Sequence, residues 1–450
     1  MYIRWAQRLR PQLARHVRRT STHSSSIAML GSDVPWETAA LKEPKRCAGR
    51  TATRHRALAA HLPTEPEEPR GEPSFYSEDV DRFACIDQQP VTLQRLLETC
   101  QPPLTRQRLL ENAQFLCHER PVRYARRVQL LAGLPYIVNL NPHINAVYQA
   151  YYANFEEARR FPMVESLADE RRFVHMLARQ SQSLKHIMPQ IARGFFECRR
   201  YFGPEPRRRF LDQLVKMRIG LRLLTSQHIA LYDQFQAANA AVTAVAAAED
   251  ADRYQGIVDN HLRLADMVRV CAQGVQATCE MTYGDAPDFS IDGQLDVAFC
   301  YIPSHLDYML TELLKNAFRA SLARAEAAAS SSNSSNSSSV PPVAITVSKS
   351  DSRVAIRIRD CGGGIPSHIH DRVFDYAFTT SEHHDSPDGS APTPADPSAI
   401  SGLGFGLPMT KIYAEYFGGS LNLISLEGYG CDAFLELPSI KLNRTPEIQI

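Results

Sequence analysis

The chain has 450 residues, of which 44% are hydrophobic. This length exceeds what one core usually organises, so we expect two folded domains. The 50 basic and 49 acidic side chains give a formal net charge of +1, which favours neither nucleic acid nor a membrane surface as a partner. The ten cysteines form no C-x-x-C pair and have no zinc-like His spacing, a pattern typical of reduced thiols. No stretch approaches the roughly 20 apolar residues that cross a bilayer, so we expect no membrane span.

The first thirty residues have the composition of a mitochondrial presequence. They contain no acidic residue, end in a Ser/Thr-rich run, and carry six arginines: Arg4, Arg8, Arg10, Arg15, Arg18 and Arg19. Trp5, Leu9 and Leu13 recur at helical spacing and would form an apolar face. We therefore predict a presequence over 1–30, with a disordered basic tail as the alternative. Residues 31–74 mix Pro, Glu, Arg and Gly without periodicity and are predicted to be a disordered linker.

Residues 75–236 are predicted to form a helical domain. Five amphipathic segments are separated by short connections: 105–120, 122–131, 141–161, 169–202 and 210–235. Pro121 is expected to end the first of them, because proline removes a helical hydrogen bond. The longest segments could pack side by side, which indicates a helix bundle. The Ala-rich stretch 237–252 carries little to bury and is predicted to be a linker.

The third region, 253–440, carries the chemistry, and its first motif is the helix PSHLDYMLTELLKNAFRAS. Its apolar residues recur at i, i+3, i+4 and i+7: Leu306, Met309, Leu310, Leu313, Leu314 and Ala317. Its polar face holds His305, Tyr308, Glu312, Lys315, Asn316 and Arg319. Glu312 and Asn316 lie one turn apart, which suits a proton acceptor beside a Mg²⁺ ligand. Taken alone, such a pair is more often a solvated helix face.

The second motif follows a predicted hairpin, VAITVSKSDSRVAIRIRDCGGGIP. Val354, Ile356 and Ile358 alternate with arginines, so this strand has one apolar face. It delivers Asp360 into a run of three glycines, where the backbone can approach a flat ligand and the carboxylate can accept an exocyclic amine. An Asp-Gly turn without a ligand is the alternative.

The third motif is SGLGFGLPMTKIYAEYFGGS, in which three alternate glycines lead into a helix. Free N–H groups at such an entrance can bind an anion. The preceding run, 381–401, is polar and Pro-rich, as expected of a mobile lid over a nucleotide. A closing hairpin follows the helix, and 441–450 is a tail. Each motif alone is weak, but their order in one chain is specific.

The three motifs resemble the N-box, G1-box and G2-box of the GHKL superfamily. The phrases ELLKNAFRAS, DCGGGIP, FDYAFTTSE and GFGLPMTKIYAEYFGGSL resemble the mitochondrial 2-oxoacid dehydrogenase kinases. The likeness extends to SFYSEDVDRF, ERPVRYARRV, NPHI and MRIGLRLLTSQHIAL, and thus to most of residues 74–440. It implies an α+β fold, with an N-terminal four-helix bundle followed by a Bergerat α/β-sandwich ATP-binding domain. The Ser/Asn-rich run at 329–342 departs from the family and is predicted to be a disordered surface loop.

The resemblance also implies roles for individual residues. Glu312 matches the general base and Asn316 the Mg²⁺ ligand, while Asp360 matches the residue that reads adenine. The other matches to nucleotide-binding positions are Arg319, Gly362, Gly364, Thr379, Thr380, Gly402, Gly404, Phe405, Gly406 and Leu407. A K⁺ ion found in the family would fall to Val373, Asp375, Phe378 and Gly404. The implied cofactors are thus ATP and Mg²⁺, with K⁺ as a further candidate.

The family acts on large enzyme complexes, which fixes the expected partners. The resemblance implies phosphorylation of the E1α subunit in the mitochondrial matrix, docking to the lipoyl domain of the E2 core, and a homodimer. Arg207, Arg208 and Arg209 form a basic cluster that could contact the lipoyl domain or be a solvated face. Tyr308, the FTTSE segment and the lack of a C-terminal Asp-Trp pair favour a branched-chain over a pyruvate substrate, although a diverged pyruvate dehydrogenase kinase could share all three.

Other classes fit the sequence less well. A sensor histidine kinase needs a phosphoacceptor His followed by an acidic residue and proline, and His228 lacks that context, so we expect it to be a packed residue. A non-catalytic ATP-binding scaffold could lose Glu312, which is present. A chaperone or topoisomerase ATPase would need a large further domain.

Overall fold

The computed structural model describes residues 77–89, 101, 104–240, 253–331, 340–379 and 404–439. The predicted presequence 1–30, the linker 31–74, the lid 381–401 and the tail 441–450 lie outside the described residues, as do Thr380 and Gly402. Within the described part, the N-terminal half is helical, and the C-terminal half combines helices with mostly antiparallel strands. The α+β class expected from the sequence is therefore confirmed.

Seven helices form the N-terminal half of the described chain. They are α1 (Glu78–Ala84), α2 (Arg106–Ala132), α3 (Tyr136–Asn139), α4 (Pro142–Arg160), α5 (Leu167–Ser183), α6 (Ile187–Glu197) and α7 (Pro204–Ala240). The long helices pack on one another, with α2 against α4, α5 and α7, and α5 against α7. Their apolar faces share one core, which includes Tyr151, Phe155 and Phe195. Three N-termini have side-chain caps, from Thr105, Asn141 and Ser166.

The expected break at Pro121 is wrong, because α2 runs through it for 27 residues. A proline inside a helix costs about 3 kcal/mol, so other contacts must hold the helix together here. One of them spans the proline: Arg123 Nε lies 3.1 Å from Glu119 Oε2, and both side chains are buried. Arg127, also buried, donates to the carbonyl of Met217 on α7. Tertiary contacts thus outweigh the local effect of the proline.

The segment 169–202, expected to be one helix, is two. Helix α5 ends at Ser183 and α6 begins at Ile187. Pro189 lies in the first turn of α6, where its missing N–H is tolerated. At the break, Arg218 Nη1 donates to the carbonyl of Leu184 over 3.1 Å.

The last helix of this half is longer than expected. Helix α7 reaches Ala240, so 237–240 belong to it and not to the predicted linker, whose residues 241–252 lie outside the described part. His228, on α7, is fully buried and its Nε2 lies 2.7 Å from Glu170 Oε1, as expected of a packed residue.

The C-terminal half is built on two sheets. Its elements are β1 (Tyr254–Gln255), β2 (Val258–Arg263), α8 (Leu264–Tyr283), β3 (Phe289–Gly293), β4 (Ala298–Tyr301), α9 (Pro303–Ser331), β5 (Val343–Lys349), β6 (Arg353–Arg359), a 3-10 helix (Ser367–Arg372), α10 (Gly406–Tyr416), β7 (Ser420–Leu426) and β8 (Gly430–Pro438). The larger sheet has the order β3-β5-β6-β8-β7, and the smaller one β1-β2-β4. Only β3 and β5 pair in parallel among the described strands.

The larger sheet buries one face under the helices. Val354, Ile356 and Ile358 of β6 are buried, as their alternation predicts, and pair with residues of β5 and β8. Helix α9 contacts β5 and β6, and α10 contacts β7 and β8. Helix α9 extends to Ser331, so 329–331 are helical, contrary to the expected disordered loop. Residues 332–339 of that loop lie outside the described part.

Helix α7 connects the two halves. The side chain of Gln227 accepts a 2.8 Å hydrogen bond from the N–H of Ile257, and that of Gln234 accepts one of 3.3 Å from the N–H of Gly256. Helix α10 also lies against α7. The helical half therefore contacts the C-terminal half in two places, at the turn between β1 and β2 and beside α10.

Candidate functional site

The predicted apolar face of α9 is confirmed. All six of its apolar residues are buried: Leu306, Met309, Leu310, Leu313, Leu314 and Ala317. Two residues expected on the polar face are covered instead. His305 is buried and its ring lies 5.1 Å from that of Tyr413, while the ring of Tyr308 lies 4.9 Å from the same ring. Helix α10 covers this part of the expected polar face, and burial lowers the pKa of His305 to about 3.

Glu312 and Asn316 lie one turn apart on α9 but in different surroundings. Glu312 is only 8% exposed, whereas Asn316 is exposed. The Glu312 Oε1 atom lies 2.6 Å from the ammonium of Lys315. Its Oε2 atom lies against Gly406, the first residue of α10, where a methyl group would overlap it. The carboxylate is therefore held at the start of α10 and not in open solvent.

Tyr308 borders the Glu312 carboxylate from the preceding turn. Its hydroxyl is buried and has no hydrogen-bond partner among the described residues. Burial, followed by the charge of Glu312, holds the pKa of Tyr308 well above its usual value. The hydroxyl thus stays protonated beside the carboxylate.

Asp360 lies where β6 ends, with its carboxylate fixed by backbone groups. Its Oδ1 accepts hydrogen bonds from the N–H of Gly362 over 2.9 Å and from that of Cys431 over 3.2 Å. Desolvation by burial raises the pKa of Asp360, and these two hydrogen bonds oppose the shift. Among the described residues, no hydrogen bond reaches Oδ2. That oxygen can accept a hydrogen bond from a ligand.

Gly362 and Gly364, which follow Asp360, each meet a different structural requirement for glycine. A methyl group at Gly362 would overlap Ala320 on α9, so this glycine lets the loop contact the helix. Gly364 has φ +76 and lies against the carbonyl of Leu426. Asp360 is thereby placed next to α9, on which Glu312 and Asn316 lie.

The segment 373–379 meets the third motif at Gly404. The N–H of Ala377 donates to the Gly404 carbonyl over 3.1 Å, and the Cα of Gly404, at φ +71, leaves no room for a side chain beside Phe378. Ala377 itself has a positive φ of 60, which is strained for a residue with a side chain. Phe405 is fully buried, with its ring 5.1 Å from that of Tyr376.

The remaining predicted residues divide into two groups. Of the residues expected around K⁺, Phe378 lies against Gly404. The carbonyls of Asp375 and Gly404 already accept hydrogen bonds from the N–H groups of Phe378 and Ala377. Val373 lies further back, at the end of the 3-10 helix. Arg319, Thr379 and Leu407 are all half-buried.

Sequence reasoning gave no role to three residues that shape this site. Lys315 pairs with Glu312, Arg324 Nη1 donates to the Gly428 carbonyl over 2.8 Å, and Ser425 Oγ accepts from the Ile365 N–H over 2.6 Å. Lys315 follows Glu312 by three residues, a spacing that would have predicted the pair. The contacts of Arg324 and Ser425 join positions far apart in the chain, for which the sequence offers no pattern.

Two further observations concern membrane spans and metal ligands in the described residues. No described helix combines the length and apolar character of a membrane-crossing segment. No group of three or more His, Cys, Asp or Glu side chains in the described ranges is arranged to hold a metal ion.

Comparisons with known proteins agree with this arrangement. Residues 90–259 match the family model of the mitochondrial branched-chain alpha-ketoacid dehydrogenase kinase, and residues 301–441 match that of the histidine kinase-, DNA gyrase B- and HSP90-like ATPases. The mitochondrial [pyruvate dehydrogenase (acetyl-transferring)] kinase of Arabidopsis thaliana is 31% identical over 377 residues, covering 83% of this chain and 97% of that protein. Isozyme 4 of Mus musculus is 27% identical over 396 residues, covering 84% and 87%, respectively.

Proposed function

The chain belongs to the family of mitochondrial 2-oxoacid dehydrogenase kinases in the GHKL superfamily, and from this premise we propose that it phosphorylates and inactivates the E1α subunit of the pyruvate dehydrogenase complex. It is a protein kinase with a GHKL ATPase domain. Its proposed acceptor is a serine hydroxyl, and its proposed location is the mitochondrial matrix.

One observation carries the proposal: the Glu312 carboxylate lies at the N-terminal end of α10. A helix N-terminus favours the negative charge of a phosphate group, and a general base must lie close to the hydroxyl that attacks that phosphate. In the proposed reaction Glu312 takes the proton of the substrate serine. The buried surroundings keep bulk water away from this proton transfer.

The nucleotide is proposed to lie between α9, the loop after β6 and the start of α10. Asp360 Oδ2 would accept the amino group of adenine, with Gly362 and Gly364 shaping the loop. The phosphates would lie near Arg319, Thr379, Gly404, Phe405, Gly406 and Leu407. Mg²⁺, held by Asn316 and the phosphates, would neutralise charge on the transferred group. Thr380 and Gly402 keep their predicted roles, although both lie outside the described residues.

The substrate assignment follows the names of the relatives. The two reported kinases that match most of the chain are named for pyruvate dehydrogenase, and they lend no support to the branched-chain preference that Tyr308 and FTTSE suggested. The model that matches residues 90–259 carries the branched-chain name and keeps that substrate as the second candidate.

The decisive experiment incubates the recombinant chain with Mg-ATP and each purified E1 component separately. We expect phosphate on a serine of the pyruvate dehydrogenase E1α and none on the branched-chain E1α. Phosphate on the branched-chain E1α alone would make the branched-chain complex the substrate. Phosphate on neither protein, with ATP still bound, would favour the non-catalytic scaffold.

Docking to the lipoyl domain of E2 is proposed from family membership. The basic cluster on which the sequence argument relied is not one exposed patch. Arg207 is buried, and burial lowers its pKa, while Arg208 and Arg209 pair with Glu205 at 3.5 and 3.1 Å. Equal and poor retention of lipoylated and unlipoylated E2 domains by the immobilised chain would contradict this proposal.

A homodimer is likewise proposed, and exposed apolar residues on the edge strand β7 support it. Ile424 and Leu426 of β7 are 62% and 61% exposed, and Tyr429 in the following turn is 73% exposed. Edge strands with such side chains tend to pair with another chain. Sedimentation analysis of Ile424→Lys should show a shift from dimer to monomer, and a wild-type monomer would remove the idea.

Two finer family features complete the proposal. The helices α2, α4, α5 and α7 are taken as the four-helix bundle, since α2 contacts the other three. K⁺ is proposed beside Asp375, Phe378 and Gly404. ADP affinity that is equal in K⁺ and Na⁺ buffers would argue against the ion.

A further inference from the structure

The contact between Lys315 and Glu312 differs from an ordinary surface ion pair. The Lys315 Nζ lies 2.6 Å from Glu312 Oε1, and the two side chains are only 20% and 10% exposed. An exposed pair contributes little, because water screens it and both side chains lose freedom. Water screens a pair that is largely out of solvent much less, so the attraction between the two charges is stronger. This attraction holds the Oε1 atom of Glu312 toward Lys315.

The second carboxylate oxygen lies on another side of the site. Glu312 Oε2 lies against Gly406, where even a methyl group would overlap it. Gly406 begins α10, an eleven-residue helix whose first N–H groups carry partial positive charge. One oxygen of Glu312 thus points to Lys315 and the other to the start of α10.

We infer that Lys315 is a positioning residue, which holds Oε1 so that Oε2 is the oxygen that accepts the proton. This inference rests on the proposed function of Glu312 as the base. In the step it serves, the serine proton moves to Glu312 Oε2 while the serine oxygen bonds to the γ-phosphorus of ATP. The bond from that phosphorus to the bridging oxygen breaks, and ADP leaves with the electron pair.

The ion pair with Glu312 supports a role through the base, and the kinetic test separates it from a role at the phosphates. Positioning has a distinct kinetic consequence. A base that is misplaced by about 1 Å can lose roughly 10²-fold in rate while substrate binding persists. The loss must also disappear when the base itself is absent.

The test uses the full chain, Mg-ATP and the E1 substrate. Lys315→Met should lower kcat by roughly 10²-fold and leave the Kd for ATP unchanged. Lys315→Arg keeps the positive charge and should recover most of the rate. Lys185→Met removes a lysine that is exposed in the turn between α5 and α6, and it should behave as wild type.

The double variant decides between the alternatives. If Lys315 acts through Glu312, Glu312→Gln/Lys315→Met is no slower than Glu312→Gln alone. A further slowing, a weaker Kd for ATP in Lys315→Met, or a wild-type kcat in that variant would each overturn the inference. Failure of the proposed function gives a different result, namely a wild-type chain that phosphorylates neither E1 component.

Discussion

The hydroxyl of Tyr376 donates a 2.9 Å hydrogen bond to Oδ1 of Asp212, and so joins the segment beside Gly404 to helix α7. Burial, followed by the charge of Asp212, holds the pKa of Tyr376 well above its usual value, so the phenol remains a donor. The ring of Tyr376 also lies 5.1 Å from that of Phe405, directly before α10. A side chain of the helical half thereby contacts the proposed phosphate end of the site.

Removing this hydrogen bond should affect both stability and nucleotide binding. Tyr376→Phe deletes the donor but keeps the ring, so we expect a loss of about 1 kcal/mol in the free energy of unfolding. ATP affinity should fall with it, because Phe405 and Gly404 lose a fixed neighbour. Urea unfolding and calorimetric titration measure the two effects. Tyr201→Phe, at a residue that is 53% exposed, is the control and should change neither.

Glu312 and Asn316 should separate catalysis from nucleotide binding. Glu312→Gln keeps the shape of the side chain but cannot take a proton, so serine phosphorylation should fall by roughly 10²- to 10⁴-fold with ATP affinity nearly unchanged. Asn316→Ala removes a hard oxygen, so both quantities should fall together. Radiolabel transfer to E1 and equilibrium ATP binding measure them. A wild-type phosphorylation rate in Glu312→Gln would show that the carboxylate is only structural.

Gly362 should tolerate no side chain. The methyl group in Gly362→Ala would overlap Ala320, so we expect a destabilisation of about 1–3 kcal/mol and weaker ATP binding. The matched control is Gly274→Ala on α8, where the added methyl has no atom within 4 Å. An alanine in an exposed helix interior is favoured over glycine by about 1 kcal/mol, so this control should be stabilised. Equal melting temperatures for the two variants would contradict the close contact.

We expect the charge of Asp360 to lower the stability of the fold, while its carboxylate contributes to ATP binding. Its pKa is raised in the folded state by burial, so the ionised form destabilises the fold above that raised pKa. The penalty shrinks as pH falls through the folded pKa and disappears below the unfolded value, about 3.9. Asp360→Asn keeps an oxygen for the N–H groups of Gly362 and Cys431, so it should melt higher than wild type at pH 7 and lose ATP binding. This difference in melting temperature should vanish toward pH 4, and a constant difference would exclude titration of Asp360 as its cause.

Local sequence patterns predicted most helices and strands correctly. Where the prediction failed, contacts between helices or strands that are distant in sequence determined the structure. The alternation of Val354, Ile356 and Ile358 and the helical spacing on α9 each reflect one buried face, and both are confirmed. Pro121 was predicted to end a helix, but the buried Glu119–Arg123 pair holds α2 across it. The sequence cannot show such a tertiary effect.

The same distinction applies to the candidate site. The spacing of Glu312 and Asn316 and the position of Asp360 after a strand are local properties, and the structure brings these residues to neighbouring elements. The covering of His305 and Tyr308 by Tyr413 depends on how α10 packs on α9, which spacing along α9 cannot reveal. Their assignment to an open polar face was therefore wrong.

Helix α7 contacts the C-terminal half at positions far apart along its length. Asp212 contacts Tyr376, and Gln227 contacts Ile257 fifteen residues further along, which is about 22 Å on a helix. Because both contacts lie on one helix, the C-terminal half can tilt relative to α7 only if one of the two hydrogen bonds breaks. Both contacts are made by side chains that lie off the helix axis, so rotation of the C-terminal half about that axis would also break them.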